Sequence, residues 1–220
     1  MNCKGMIVQR LRWARIWVVM ALAGAIIVGV YSIRVPVLRA AGWTLVVNEP
    51  VEPADIIVVA TDASGAGVLE AVDLVRSGIA SRVAVFADPP DSIDREFVRR
   101  GVPYEDGAAR STRQLRSLGV TVIEEIPMAG GTEAEGRALP GWCDQHGFRS
   151  VVVVSSRDHS RRLRRLLDRA MHGHPMRVMV GSARHSRFDP DRWWKTRDGA
   201  RTEIIELQKL LLDVVRHPFS

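Results

Sequence analysis

The chain has 220 residues, 46% of them hydrophobic and 25% charged, which excludes a disordered protein and fits one folded domain with appendages. The net charge of +6 sits at one end: Lys4, Arg10, Arg12, Arg15 and Arg34 occur without an acid, leaving 26 basic against 25 acidic side chains in the rest. That balance argues against a nucleic acid as partner, because such a role calls for a basic domain.

In chain order, residues 1–15 read as a basic cytoplasmic N-terminus, and 16–33 as a transmembrane anchor. The segment Ile16–Ile33 carries no charge over eighteen residues between Arg15 and Arg34, the lower end of what a helix needs to cross a bilayer. Four cations precede it closely, and Arg34 and Arg39 follow. The positive-inside rule therefore expects the N-terminus in the cytoplasm and the remainder outside. Trp13, Trp17 and Tyr31 lie near its ends, where amphipathic rings favour the interface. A cleaved signal peptide is the competing reading, but its apolar region should be shorter and end at a small-x-small site. Here the nearest small pair is Ala40-Ala41. Cys3 and Cys143 fall on either side of this segment, with no spacing for zinc or a disulfide framework. Cys143 lies in an apolar helical pattern and reads as a buried structural thiol.

Residues 34–54 read as a juxtamembrane connector ending in Asn48-Glu49-Pro50 and Pro53, and 55–220 as an α/β domain. Short apolar runs, Asp55–Ala60, Arg82–Ala87, Thr121–Ile126, Ser150–Ser155 and Met176–Val180, predict strands covered on both faces, as in a parallel sheet. Helical patterns near 66–77, 91–99, 107–118, 131–146, 157–172 and 199–215 alternate with them. The expected fold is a Rossmann-like three-layer α/β/α sandwich with a mostly parallel sheet, preceded by one N-terminal transmembrane helix.

Ligands in such folds gather beyond the carboxyl ends of the strands. After the first strand comes Thr61-Asp62-Ala63-Ser64-Gly65-Ala66-Gly67, whose glycines permit close backbone approach before a helix N-terminus. It lacks the G-x-G-x-x-G spacing of dinucleotide binders, and taken alone it reads first as an ordinary tight strand-to-helix turn. The fourth strand ends at Ser155-Ser156, followed by Arg157-Asp158-His159-Ser160-Arg161-Arg162. That helix buries Leu163, Leu166 and Leu167, which puts His159 and Arg162 at the strand-end rim. Capping or packing is the plain alternative for His159. Arg161, Arg164, Arg165 and Arg169 read as a solvated face. Before the fourth strand, Gly130-Gly131-Thr132-Glu133-Ala134-Glu135 has capping-box spacing, with Thr132 as N-cap and Glu135 at N3. Pro140 is expected to kink that helix. In the tail, Glu206 and Lys209 are spaced to pair on a helix, and Trp193-Trp194 is expected to pack on the sheet edge or at a membrane interface.

With these motifs the chain resembles the YdcF-like family, the SanA and ElyC group of bacterial envelope proteins, from about Val47 to Val215. The resemblance rests on D-x-[IV]-V-V at Asp55–Val59, G-V-P at Gly101–Pro103 and G-T-x-x-E at Gly131–Glu135. It rests also on V-V-S-S-x-x-H-x-x-R at Val153–Arg162, and on W-W followed by E-x-x-K at Glu206–Lys209. It implies a Rossmann-like fold, a strand-end pocket, and a role in envelope integrity or in peptidoglycan, polysaccharide or lipid-carrier metabolism. By position it implies Thr132, Glu135, Ser155, His159 and Arg162 as site residues. Two departures stand at the ligand rim. The Gly-Gly turn and following Arg of family members are replaced here by Thr61–Gly65 and Glu70, and Ser-Gly-Gly by Ala87-Asp88-Pro89-Pro90.

The resulting expectation is a bacterial plasma-membrane protein, anchored by its single span, whose extracytoplasmic domain binds or processes an anionic small molecule. His159 would act as general acid or base, with Glu135 and Asp62 positioning groups or water. Arg162, Thr132, Ser155, Ser156 and Gly65 would bind the ligand. The sequence leaves the cofactor unknown, and no metal-ligand cluster stands out. A non-catalytic envelope scaffold with a degenerate pocket, and a cytoplasmic methyltransferase-like cofactor binder, are the competing readings.

Overall fold

The computed structural model describes residues 3–47, 49–127 and 130–218, with side chains from Trp17 onward. Cys3, Trp13 and the cations at 4, 10, 12 and 15 therefore lie outside the described side chains, and Asn48 outside the described residues. The chain divides into two units, Met1–Ala41 and Gly42–Ser220.

The first element is helix α1 (Cys3–Thr44). Its stretch Trp17–Thr44 is long and apolar enough to cross a membrane. Large apolar side chains from Trp17 to Ile33 are exposed all along it. The expected connector is corrected by this helix, which runs on past Pro36 to Thr44. Leu45, Val46 and Val47, also placed in the connector, are core residues, 1%, 3% and 4% exposed. The physical reason is their own hydrophobicity: three consecutive apolar residues gain more by burial than a linker gains from freedom.

In the second unit five strands form one sheet: β1 (Ile56–Val59), β2 (Arg82–Ala87), β3 (Val122–Pro127), β4 (Ser150–Ser155) and β5 (Arg177–Ser182). Every neighbouring pair is parallel, in the order β3-β2-β1-β4-β5. Each β1 residue from Ile56 to Val59 pairs with the matching residue of Val151–Val154. Their side chains alternate between the two faces. Ile56, Val58, Val151 and Val153 pack with Leu139, Trp142 and Cys143 of α5 (Thr132–His146) and Leu163, Leu166 and Leu167 of α6 (Ser160–Ala170). Ile57, Val59, Val152 and Val154 pack with Val68, Ala71 and Val72 of α2 (Ser64–Arg76) and with Ala108 and Leu115 of α4 (Gly107–Ser117). This is the expected three-layer arrangement. β3 departs from the expectation of strands covered twice: it is an edge strand with Val122 exposed and Glu124 half-buried beside Arg82.

Between β2 and α4 lies α3 (Ser92–Arg99), capped by Asp91, whose side chain accepts from Ile93 N and Asp94 N. The last helix, α7 (Arg197–Arg216), packs on α6, and its Leu210 joins Leu45, Val46 and Phe188 in a small separate cluster. α5 continues through Pro140. α5 and α6 meet closely at Gly136, where a Cβ would fall 2.2 Å from Leu166 Cδ2. The order of strands reverses between β1 and β4, so the crevice at their carboxyl ends is the topological switch point where such folds bind ligands.

Candidate functional site

Two loops leave the sheet at that switch point. After β1 the chain makes a single 3-10 turn, Thr61–Ala63, before α2; after β4, Arg157–His159 form a turn before α6. The turn carries Asp62 straight across to β4. Its Oδ2 accepts from Ser155 Oγ at 2.9 Å, Ser156 N at 2.8 Å and Ser156 Oγ at 2.6 Å. The donors expected to hold an anionic ligand at Ser155 and Ser156 are thus occupied by the chain's own carboxylate. The other oxygen, Oδ1, is buried without a hydrogen-bond partner. On the opposite side of the same turn, Thr61 N donates to Glu135 Oε1 at 2.8 Å, and Thr61 Oγ1 donates to the same oxygen. Glu135 is 2% exposed, and burial pushes its carboxyl up, opposed by the Thr61 hydrogen bonds.

The capping box expected at Thr132 is not formed. Gly131 is the N-cap, at φ 78°, and no side chain caps the helix. Thr132 is the first helical residue instead. A glycine at positive φ starts the helix one residue earlier than the motif implies, and this leaves Glu135 past the capping position and free to reach Thr61. The Thr132 hydroxyl lies 3.4 Å from His159 Nε2.

His159 caps the start of α6 with its backbone, and its ring is only 4% exposed. Nδ1 stands 2.8 Å from Arg162 Nη2 and 3.4 Å from Glu206 Oε2. A guanidinium can only donate, so the shorter contact makes Nδ1 an acceptor and puts the ring proton on Nε2, toward Thr132. Arg162 Nε also points at Glu206 Oε2, at 3.4 Å, and Lys209 Nζ donates to Oε1 at 2.6 Å. Burial acts to raise the Glu206 carboxyl, but its polar contacts outweigh it, the Lys209 ammonium and the Arg162 guanidinium among them, and hold it at about 2. The Lys209 and Arg162 contributions do not depend on the tautomer of the ring.

Two networks result. One joins Asp62, Ser155 and Ser156; the other joins Thr132, His159, Arg162 and Glu206, while Glu135 binds Thr61. Arg162 is spent on His159 and Glu206 rather than reaching outward. Among the described residues no three His, Cys, Asp or Glu side chains converge as a metal-binding group.

The open space lies beside the first network. A cavity of about 850 Å³ is lined by Asp62, Ser64, Ser156, Asp158, His185 and Arg187, with Gly65 and Ala66 of α2 and Asp198 of α7. A second, of about 310 Å³, opens on the other side of Ser64 and Gly65 toward Asp88 and Arg110. The first turn of α2 has no side-chain cap and no acid, and a Cβ at Gly65 would meet nothing within 4 Å. Ser64, which begins the helix, has φ 45° and ψ −138°, the one non-glycine at positive φ among the described residues. Such strain is characteristically held at ligand sites. Asp158 is pushed up by burial, opposed by hydrogen bonds from its own backbone and Ser156, with Asp62 and Glu206 adding to the rise.

Sequence reasoning missed Asp158, His185, Arg187 and Glu206. Glu206 was visible only as the acid of the E-x-x-K motif. The pairing with Lys209 holds, but the carboxylate also faces inward to His159. The arginines of α6 are corrected too. Arg161 donates to the carbonyls of Thr44 and Val46, Arg164 to Glu49 and Val178 O as well as Asp168, and Arg165 and Arg169 both bind Asp213 of α7. They tie α6 to its neighbours because acceptors from distant segments surround that face.

No protein-family model matches the chain, and no curated protein matches it. Among solved structures it is similar to a universal stress protein in complex with cAMP, at 19% identity and TM-score 0.36, over 60% of this chain and 99% of that one. It is similar also to a universal stress protein from Archaeoglobus fulgidus, at 16% identity and TM-score 0.36, over 58% and 93% respectively. At those values the likeness carries no argument about what this chain does.

Proposed function

We propose that this is a YdcF-like envelope protein of the bacterial plasma membrane, anchored by α1 with its domain outside. Its ligand is an anionic, hydroxyl-bearing small molecule of the phosphosugar kind. One observation carries the reading: the uncapped first turn of α2 opens into the 850 Å³ cavity opposite His185 and Arg187. Free helix N–H groups and a guanidinium favour an anion, while Asp158 offers an acceptor for ligand hydroxyls. The anion is thus proposed at Ser64–Ala66, with Gly65 as a contact, and not at Ser155 and Arg162. The cations at 4, 10, 12 and 15 support the orientation.

Binding without catalysis is the second reading, favoured by the Arg162 contact to His159 Nδ1. A ring protonated on Nε2 has no lone pair there to act as base. Calorimetry on the full chain in detergent, with inorganic phosphate, a hexose 1-phosphate and the free hexose, tests the site. The phosphosugar is expected to bind best, and Arg187→Ala to weaken it about 10-fold. Equal binding of the free hexose, or an unaffected Arg187→Ala, removes the anion from the proposal. Turnover lost in His159→Gln with binding intact would restore the catalytic role. A C-terminal topology reporter active in the cytoplasm would overturn the envelope reading itself.

A further inference from the structure

We propose that the outward face of α7 is a second membrane contact, seated on an anionic lipid surface. The proposal rests on the reading of α1 as a membrane anchor.

The helix has two opposed faces. Glu203, Glu206 and Leu210, at i, i+3 and i+7, form its buried line. On the far side Ile204, Leu211 and Val215, at i, i+7 and i+11, form a second line, 54%, 64% and 69% exposed. Leu212 and Val214, 48% and 39% exposed, widen it. Five large aliphatic side chains on one helix exceed what a soluble monomer leaves in water without a partner.

The charges choose the partner. Arg197, Arg201 and Arg216 are exposed along and beside the apolar line. The acids of α7 offset them little: Glu203 and Glu206 are buried, Asp213 is bound to Arg165 and Arg169, and the exposed Asp198 is a single acid beside Arg197 and Arg201. An apolar strip whose margins carry a net positive charge is the pattern of a helix lying in the interface of an anionic bilayer. A second copy fits worse, since pairing two such faces sets three exposed arginines of each copy against a single exposed acid, Asp198, of the other. The arrival of the chain agrees. Leu45 and Val46, next after Thr44 at the end of α1, pack with Leu210 of α7, with Leu207 and Trp193 against them. Trp43 is 42% exposed, with its ring N–H donating to Asp191 at 3.2 Å. An indole half in water beside that cluster suits the headgroup region.

The full chain carrying Cys3→Ser and Leu211→Cys, labelled with an environment-sensitive nitrobenzoxadiazole, tests this in vesicles of phosphatidylethanolamine and phosphatidylglycerol. Arg116→Cys, at an exposed position of α4, is the control. Strong quenching at 211 by nitroxide-bearing lipid, little at 116, and a loss of quenching at 211 in purely phosphatidylcholine vesicles are expected. Arg197→Glu with Arg201→Glu is expected to lower the quenching at 211 without releasing the chain from vesicles. If the chain floats with vesicles but 211 stays as water-exposed as 116, the α7 contact is overturned and the anchor stands. If the chain fails to float, both fall. Disulfide linkage between two copies at 211, with no lipid quenching, would assign the face to self-association and also overturn the proposal.

Discussion

Glu203 and Glu206 stand three residues apart on one helix face, yet their environments drive them in opposite directions. Glu203 is fully buried, neither carboxylate oxygen has a partner, and burial pushes it from 4.5 up to about 7. The unfolded chain ionises it first, so stability from this group is whole below pH 4.5 and is lost as pH rises to about 7. Glu206, held at about 2, contributes the reverse: its stability is whole above 4.5 and is lost as pH falls toward 2. Glu203→Gln is therefore expected to raise stability near pH 8 by about 2 kcal/mol and to change little near pH 4, read from urea midpoints across pH. An unaltered slope between those limits would show that the carboxyl is not carrying an uncompensated burial cost. Nothing in the sequence announced this pair of roles, because E-x-x-E-x-x-K reads equally as a solvated helix face. Only the packing of α7 on α6 decides which acid meets cations and which meets none.

At the scale of elements, the strands were legible and the hydrogen bonds at their ends were not. Runs such as Ser150–Ser155 declare themselves because a strand covered on both faces must be apolar at every position. The Asp62–Ser156 contact spans 94 positions and exists only because β1 and β4 are neighbours, which strand patterns alone do not disclose. The capping motif at Thr132 misled for a local reason: Gly131 at φ 78° shifted the start of α5. Helix approach offers a sharper test. Gly136→Ala would set a methyl 2.2 Å from Leu166 Cδ2, and overpacking of that kind is expected to cost about 1–3 kcal/mol. Gly65→Ala, whose new methyl meets nothing within 4 Å, is expected to leave thermal unfolding nearly unchanged while crowding the proposed ligand site. Equal melting temperatures for the two variants would deny the close contact of α5 with α6.

For the molecule as a whole, charge along the sequence separated a basic N-terminal stretch ending at Arg34 from a nearly neutral remainder, whereas the fold divides at Ala41 and Gly42. What it misplaced was the junction, because Leu45–Val47 belong to the core. Cys143 reports on the integrity of that core. It is fully buried, and burial, with Asp144 and Asp55 nearby, pushes its thiol up to about 12. In the Cys3→Ser background it is expected to resist alkylation near neutral pH until the domain unfolds, so its labelling rate should follow global opening. Rapid labelling of the folded protein would mean that α5 breathes locally.

The carboxylate that Asp62 lends to the end of β4 has a consequence for the resting protein. Chloride or phosphate from the surroundings meets no vacant cradle at Ser155 and Ser156, so that corner keeps its shape whatever the ionic make-up of the medium. The domain carries its own plug there, and it comes folded with the chain.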